Sequence, residues 1–358
     1  MTLELGIVLG LSSEDTEWDP SKIPDLLGWW TDGDQYLTRA AQPAITNFEF
    51  DGSVAWDRID AGWSISDGKA IKAVSAGYVM MVKYDVLVRY NRYKHDVNLS
   101  AYSVGSIYTN TNVAQAAYAP VAPGTITGIE FTASYAWFGL GGSAASVGSV
   151  DWIRNLENLS VTAWAPKAGS TGVSLVQASA VSQAWVKDQS NKRVLYGELD
   201  QMRAEGAASI WNCLHDGTGC VISFCYIPRT SFDSQNRYVD NTGGGAGTSV
   251  IGTRCYLANG IPRIVISNGD GVAYVLSSSG GSAVALYQPH HYLARIKSGL
   301  DNECEIWSDG SLVYAADFAN APTARDGPAA MQAFGGGSYG SKGEMMDLVI
   351  TKDCSDAT

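Results

Sequence analysis

Leu214-His-Asp-Gly-Thr-Gly-Cys220, followed without a break by Val221-Ile-Ser-Phe-Cys-Tyr-Ile-Pro228, decides how this chain is read. A polar turn rich in Gly and Asp runs straight into an alternating apolar stretch that ends in proline. Glycine supplies backbone at positive φ, and Asp supplies the short side-chain bonds that hold a turn. The residues after it carry the period of a strand, and a proline cannot donate to a ladder that continues. Further along, Glu303-Cys-Glu-Ile-Trp307, the turn Ser308-Asp-Gly310 and Ser311-Leu-Val-Tyr314 read as a hairpin, Asp-Gly being a strong two-residue hairpin signal. Residues 264–267, 272–276 and 292–296 read as further strands.

Composition agrees with strands joined by tight turns. Of 358 residues 39 are Gly, and charged residues make up 17%, against roughly 25% in an average soluble domain. The length suits two domains. Lys and Arg number 24 against 36 acidic residues, a net charge of −12. An acidic chain without basic clusters repels phosphate backbones, so nucleic acid is not an expected partner. The opening Met-Thr-Leu-Glu-Leu-Gly-Ile-Val-Leu-Gly-Leu11 lacks a basic n-region, and no stretch is long and apolar enough for a membrane span. All six cysteines (213, 220, 225, 255, 304, 354) lie in the C-terminal half without a C-x-x-C pair. That disfavours a zinc ribbon and leaves buried free thiols, or a disulfide in an oxidising medium.

The chain divides into four expected parts. Residues 1–43 form an extended anchoring segment, in which Leu3, Leu5, Ile7, Val8, Leu9 and Leu11 precede an acidic stretch with Pro20 and Pro24. An apolar strand of that kind is unstable alone and should add to a sheet edge or another subunit. Residues 44–164 read as one β domain, with strands at 48–50, 63–65, 78–82, 85–90 and 126–131 and turns at Asp51-Gly52, Asp67-Gly68 and Gly141-Gly142. Residues 165–174 read as a linker, and 175–358 as a second sandwich. The fold class is therefore all-β: two antiparallel β-sandwich (jelly-roll) domains behind an N-terminal segment.

Two resemblances sharpen this. Gly62-Trp-Ser-Ile-Ser-Asp-Gly-Lys-Ala70 with the closing Val150-Asp-Trp-Ile-Arg-Asn-Leu-Glu-Asn-Leu-Ser-Val-Thr162 resembles carbohydrate-binding-like (galactose-binding-like) jelly rolls. From residue 176 on, the His215-Asp-Gly turn, the 303–314 hairpin, Ala333-Phe-Gly-Gly-Gly-Ser-Tyr-Gly340 and Glu344-Met-Met-Asp-Leu-Val-Ile-Thr351 together resemble laminin-G/concanavalin-A-like lectin domains of tailed-bacteriophage structural proteins. Such proteins run from a leader like Gly6-Ile-Val-Leu-Gly-Leu11 and Leu27-Gly-Trp-Trp-Thr-Asp32 directly into the sandwich. Here residues 44–164 intervene, which suggests an inserted jelly roll with Trp29-Trp30 beside the second domain.

No catalytic constellation stands out. Glu198-Leu-Asp200 resembles the start of the Glu-x-Asp-x-(x)-Glu strand of sandwich glycoside hydrolases, but Met202 and Arg203 occupy the positions of the second glutamate. Glu205 lies too far along a strand for a retaining pair, which needs carboxyls roughly 5–5.5 Å apart. His95, His215 and the adjacent His290 and His291 form no nucleophile–base or metal pattern, since neighbours on a strand face opposite ways. No cofactor is expected; Asp301, Glu303, Asp309 and Asp326 are the candidate oxygen ligands for Ca²⁺, without the regular spacing of a calcium loop. Aromatic residues carry the binding expectation, because sugar C–H faces stack on indole and phenol rings. By loop or strand-end position the candidates are Tyr108, Tyr118, Trp137, Tyr226, Trp307 and Tyr339.

The resemblances imply a non-enzymatic virion surface protein, made in the host cytoplasm and displayed as a tail-fibre adhesin or a head-fibre or capsid decoration protein. Other virion proteins, copies of itself (a trimer by preference) and host-surface glycans are the implied partners. A purely structural decoration protein and a polysaccharide-degrading hydrolase are the alternatives.

Overall fold

The computed structural model describes residues 20–352, except 24, 32–33, 111–122, 180–182, 190–191, 199–201, 230–234, 243–249, 270–272, 277–280, 321, 323–325, 329 and 335–341. The chain is all-β, and its described residues form antiparallel strands in four sheets. It separates into a larger unit (residues 1–38, 161–178 and 182–358) and a smaller unit that is chiefly Arg39–Ser160. Among the described residues no helix is long and apolar enough to cross a membrane. The expected anchoring residues Leu3, Leu5, Ile7, Val8, Leu9 and Leu11 lie outside the described residues.

In the larger unit Cys220–Pro228 is a central strand, flanked on one side by Lys342–Lys352 and on the other by His290–Ile296. Asp216 prepares its entry by accepting from the Thr218 amide at 2.9 Å, and a short 3-10 helix, Ala208–Leu214, precedes the turn. Leu26–Thr31 pairs antiparallel with Lys342–Lys352, so the early and late parts of the chain share one sheet. The smaller unit is thus spliced into the chain of the larger. Residues 165–171, within the segment 165–174 expected as a linker, run beside Leu26–Thr31, with backbone bonds Trp29 N to Ala168 O (2.8 Å), Lys167 N to Trp29 O (2.7 Å) and Ser170 N to Leu26 O (2.8 Å). A second sheet, centred on Gln235–Asp240, Ile251–Ala258 and Ile261–Asn268, shares one apolar core with the first. Trp30, Trp164, Trp211, Phe224, Tyr226 and Tyr292 fill it.

The smaller unit is a second sandwich. One sheet is built on Arg92–Val104, with Gly124–Thr132 and Val147–Asn158 on either side. The other runs Arg58–Ile59, Val79–Lys83, Phe138–Gly142, Ile107–Asn110. From Arg92 to Ser100 burial alternates residue by residue, with Tyr93, His95, Val97 and Leu99 inward. That is the period of a strand with one face in the core. Phe48, Phe131, Phe138, Met81 and Leu140 close the core from both sheets.

Two Asp-Gly turns make hairpins. Asp67 (φ 54°) with Gly68 (φ 70°) joins Trp63–Ser66 to Lys69–Lys72, and Asp309 (φ 50°) with Gly310 (φ 77°) joins Cys304–Ser308 to Ser311–Ala316. Positive φ at both central residues matches the right-handed twist of the strands they connect. Two expectations fail. Gly141 and Gly142, expected as a turn, are the buried end of the strand Phe138–Gly142, paired with Met80 and Val79. Residues 85–90 form no strand: Asp85 (φ 56°) and Tyr90 (φ 72°) stand in the left-handed region and break the pleat at both ends.

Candidate binding platform

The loop that replaces the expected strand carries the most concentrated exposed aromatic surface among the described residues. Val86 and Leu87 are buried and plug the core of the smaller unit. Their amides both donate to Ala136 O at 3.0 Å, Tyr90 N donates to Ala133 O at 2.6 Å, and Ala133 N returns a bond to Asn91 O at 2.9 Å. The Val88 amide donates to the Tyr93 hydroxyl at 2.7 Å. Residues 84–91 and 133–137 are therefore stitched together as one surface. A left-handed backbone costs a non-glycine residue of order 1–3 kcal/mol, tolerated where surroundings over-determine it; here those bonds do so at Tyr90.

What the loop presents outward is aromatic and cationic. Tyr84, Val88, Tyr90 and Tyr135 are each 44% exposed. Tyr135 stacks on Trp137 with centroids 5.5 Å apart and planes 10° from parallel. The Arg89 guanidinium lies 4.5 Å from the Tyr90 ring centroid and 6.0 Å from that of Tyr135. A guanidinium over a ring at an exposed site contributes about 0.5–1 kcal/mol, enough to bias the orientation of both groups. Tyr84 closes the edge, its amide held by Asp57 at 2.8 Å.

Of the residues expected to bind, Trp137 belongs to this platform. Tyr108 is half-buried on Ile107–Asn110, packed against Tyr78 with centroids 6.2 Å apart. Tyr226 must be withdrawn: it is 0% exposed, wedged between Phe224 and Tyr238 in the larger unit's core, and offers no face to a ligand. Alternation puts it inward with Phe224 and Ile222. Trp307 is half-buried, its indole nitrogen donating to Glu305 at 3.2 Å. Tyr118 and Tyr339 lie outside the described residues. Sequence reasoning missed Tyr84, Arg89, Tyr90 and Tyr135, because Val86-Leu-Val88 imitates a strand and hides the loop.

The polar candidates have local partners. His290 bonds Asp309 Oδ2 (2.7 Å) and Ala285 O (2.8 Å), whereas His291 bonds Ser223 Oγ (2.8 Å). Glu303 accepts from the amides of Gly299 and Phe318, and Asp326 from Asn212. These carboxylates serve separate turns, and no cluster suited to a metal ion occurs among the described residues. Glu198 ends the strand Lys192–Glu198, and Asp200 lies outside the described residues. His95 sits edge-on to Phe131 and Phe138, 5.5 and 5.4 Å away, and bonds Thr109 Oγ1 at 2.7 Å; burial pushes its pKa down to about 3.

The larger unit offers a related but different arrangement. Tyr287 is 58% exposed at φ 63°, with Arg229 5.5 Å from its ring centroid. There the guanidinium is committed to the buried carboxylate of Glu344.

No protein-family model matches the chain, and no curated protein does. Among solved structures it has slight likeness to the CBM40 module of Ruminococcus gnavus IT-sialidase, solved bound to alpha2,3 sialyllactose. That pair has a TM-score of 0.33 and 16% identity, covering 39% of this chain and 78% of the other. Domain 4 of AbnA, a GH43 extracellular arabinanase from Geobacillus stearothermophilus solved with arabinotriose, gives 0.34 and 11%, covering 47% and 75%. The CBM22 tandem of Paenibacillus barcinonensis Xyn10C gives 0.22 and 7%, covering 88% and 100%. Likeness at this level carries no weight for function, which has to come from the platform itself.

Proposed function

We propose that this protein is a non-catalytic recognition protein that binds glycans through residues 84–90 and 133–137 of its smaller unit. The observation that carries the reading is the arrangement of Tyr90, Arg89, Tyr135 and Trp137: two exposed tyrosine rings and a half-buried indole stacked on one of them, on backbone pinned by bonds to its neighbours. Pyranose rings present C–H faces that gain by stacking on such surfaces. Tyrosine has few rotatable bonds, so little ordering entropy is lost when it is used for contact. Asp85 is the one carboxylate within these two segments, whereas glycoside hydrolysis by the usual route needs two.

On the sequence resemblance alone, we place the protein on the surface of a tailed-phage virion, as a tail-fibre adhesin or a head decoration. Trimers held to other virion proteins through residues 3–11 would let weak glycan contacts sum through avidity.

The decisive experiment is a glycan array probed with the full chain and with Tyr135→Ala and Trp137→Ala variants. Retention of a set of glycans by the parent, and its loss in both variants, is the expected result. Retention of none, joined to raised thermal stability of particles carrying the protein, would favour the purely structural alternative. Reducing-sugar release abolished by Glu198→Gln would replace recognition with hydrolysis.

A further inference from the structure

We infer that the platform selects acidic glycans, with Arg89 as the group that receives a sugar carboxylate. The inference rests on the glycan-binding reading above and adds the ligand's charge to it.

In an excess of acid, side chains such as Arg58, Arg92, Arg154, Arg229, Arg237 and Arg295 are each held by a carboxylate, at Asp60, Glu130, Glu49, Glu344, Asp240 and Glu305 respectively. Arg89 makes no ion pair with any described residue, although Asp85 lies four positions away on the same loop. Its contacts are with the rings of Tyr90 and Tyr135.

A guanidinium held over a ring with no carboxylate partner keeps N–H donors for a ligand. Those donors form a fork that matches a carboxylate with two parallel bonds, a geometry lysine lacks. The rings beside it supply the apolar surface for the sugar body. Tyr90's backbone, fixed at φ 72° by its bond to Ala133, sets the ring against the guanidinium before any ligand arrives. A net charge of −12 repels polyanions at long range, so an acidic ligand is retained through this local contact and not by the overall field.

The test is a glycan array on which each acidic glycan is printed beside its methyl ester, with sulfated and neutral glycans alongside. The full-length protein should retain carboxylated glycans and lose them on esterification. Arg89→Gln should weaken that retention about tenfold or more, as expected for a lost charge-assisted bond, with Arg89→Lys restoring only part. Arg89 is exposed, so neither variant endangers folding. Retention that ignores esterification, or survives Arg89→Gln, while still vanishing in Tyr135→Ala, overturns the acidic selectivity and leaves glycan binding standing. Retention confined to sulfated glycans assigns Arg89 a sulfate ester and overturns the carboxylate. If no glycan is retained, both readings fall.

Discussion

Trp30 and Trp211, 181 positions apart in the chain, pack ring against ring with centroids 6.2 Å apart, and both are fully buried. Trp30 also donates its indole N–H to Val173 O at 3.2 Å. Its ring folds back over Gly28, where a Cβ would collide with it. The strand Leu26–Thr31 is thereby part of the larger unit's core. Trp30→Ala should destabilise that unit by about 3–5 kcal/mol, the usual cost of an emptied aromatic site. Urea unfolding followed by tryptophan fluorescence checks this; a loss under 1 kcal/mol would mean that the strand docks without supporting the core.

Tyr90 separates strain from function. Glycine at φ 72° removes a backbone cost of order 1–3 kcal/mol and adds an unfolded-state entropy cost of roughly 0.5–1 kcal/mol. Tyr90→Gly should therefore leave the smaller unit between unchanged and about 2.5 kcal/mol more stable, while abolishing glycan retention. Stability by denaturant titration and retention on the array give both readouts. A variant that is less stable and still binds would show the loop to be structural.

Much of the fold was legible in residues whose backbone demands are strict. Asp67-Gly68 and Asp309-Gly310 announce hairpins because few other pairs accept positive φ twice in succession. Cys220–Pro228 announces a strand because its apolar run is bounded by a turn and a proline. Arg92–Val104 was hidden because His95 and Tyr93 hold inward positions that a hydrophobic pattern would give to Val or Ile. The platform was hidden for the opposite reason. Val86, Leu87 and Val88 have strand propensity, but tertiary bonds to Ala136 and the Tyr93 hydroxyl override it. Ring positions could not be sorted into wet and dry until the packed face of each strand was known: Tyr226 falls on the core face of Cys220–Pro228, and Tyr135 in an exposed loop.

The thiols give a chemical check on burial. Cys213 and Cys255 are buried, and desolvation pushes each pKa up to about 12, while Cys304 is driven higher still. Thiolate is the reactive form, so these side chains should be inert in the folded protein. Cys225 is half-buried on the face of Cys220–Pro228 opposite Phe224 and Tyr226. In a Cys354→Ser background, native protein should react with an aromatic disulfide reagent at Cys225 alone, and denatured protein at all five remaining thiols. Rapid native labelling of Cys255 or Cys304 would contradict the sandwich core.

Buried histidines should make the fold acid-sensitive with a defined sign. His95 is lowered to about 3 and His291 to about 4, in each case mainly by burial. Above pH 6.5 folded and unfolded imidazoles are both neutral, so neither residue affects stability there. As pH falls, the unfolded chain takes up a proton that the folded site refuses. Stability is then lost at about 1.4 kcal/mol per pH unit per group. The loss ends near pH 3 for His95 and near pH 4 for His291, once the folded sites protonate. His95→Gln keeps a polar partner for Thr109 Oγ1 and removes the imidazole titration from the smaller unit. Its urea midpoint should fall less steeply than the parent's between pH 6.5 and 4.5, whatever its value at pH 7. Equal slopes for the two proteins would mean that water reaches the imidazole, and that the pocket formed by Phe131 and Phe138 is open.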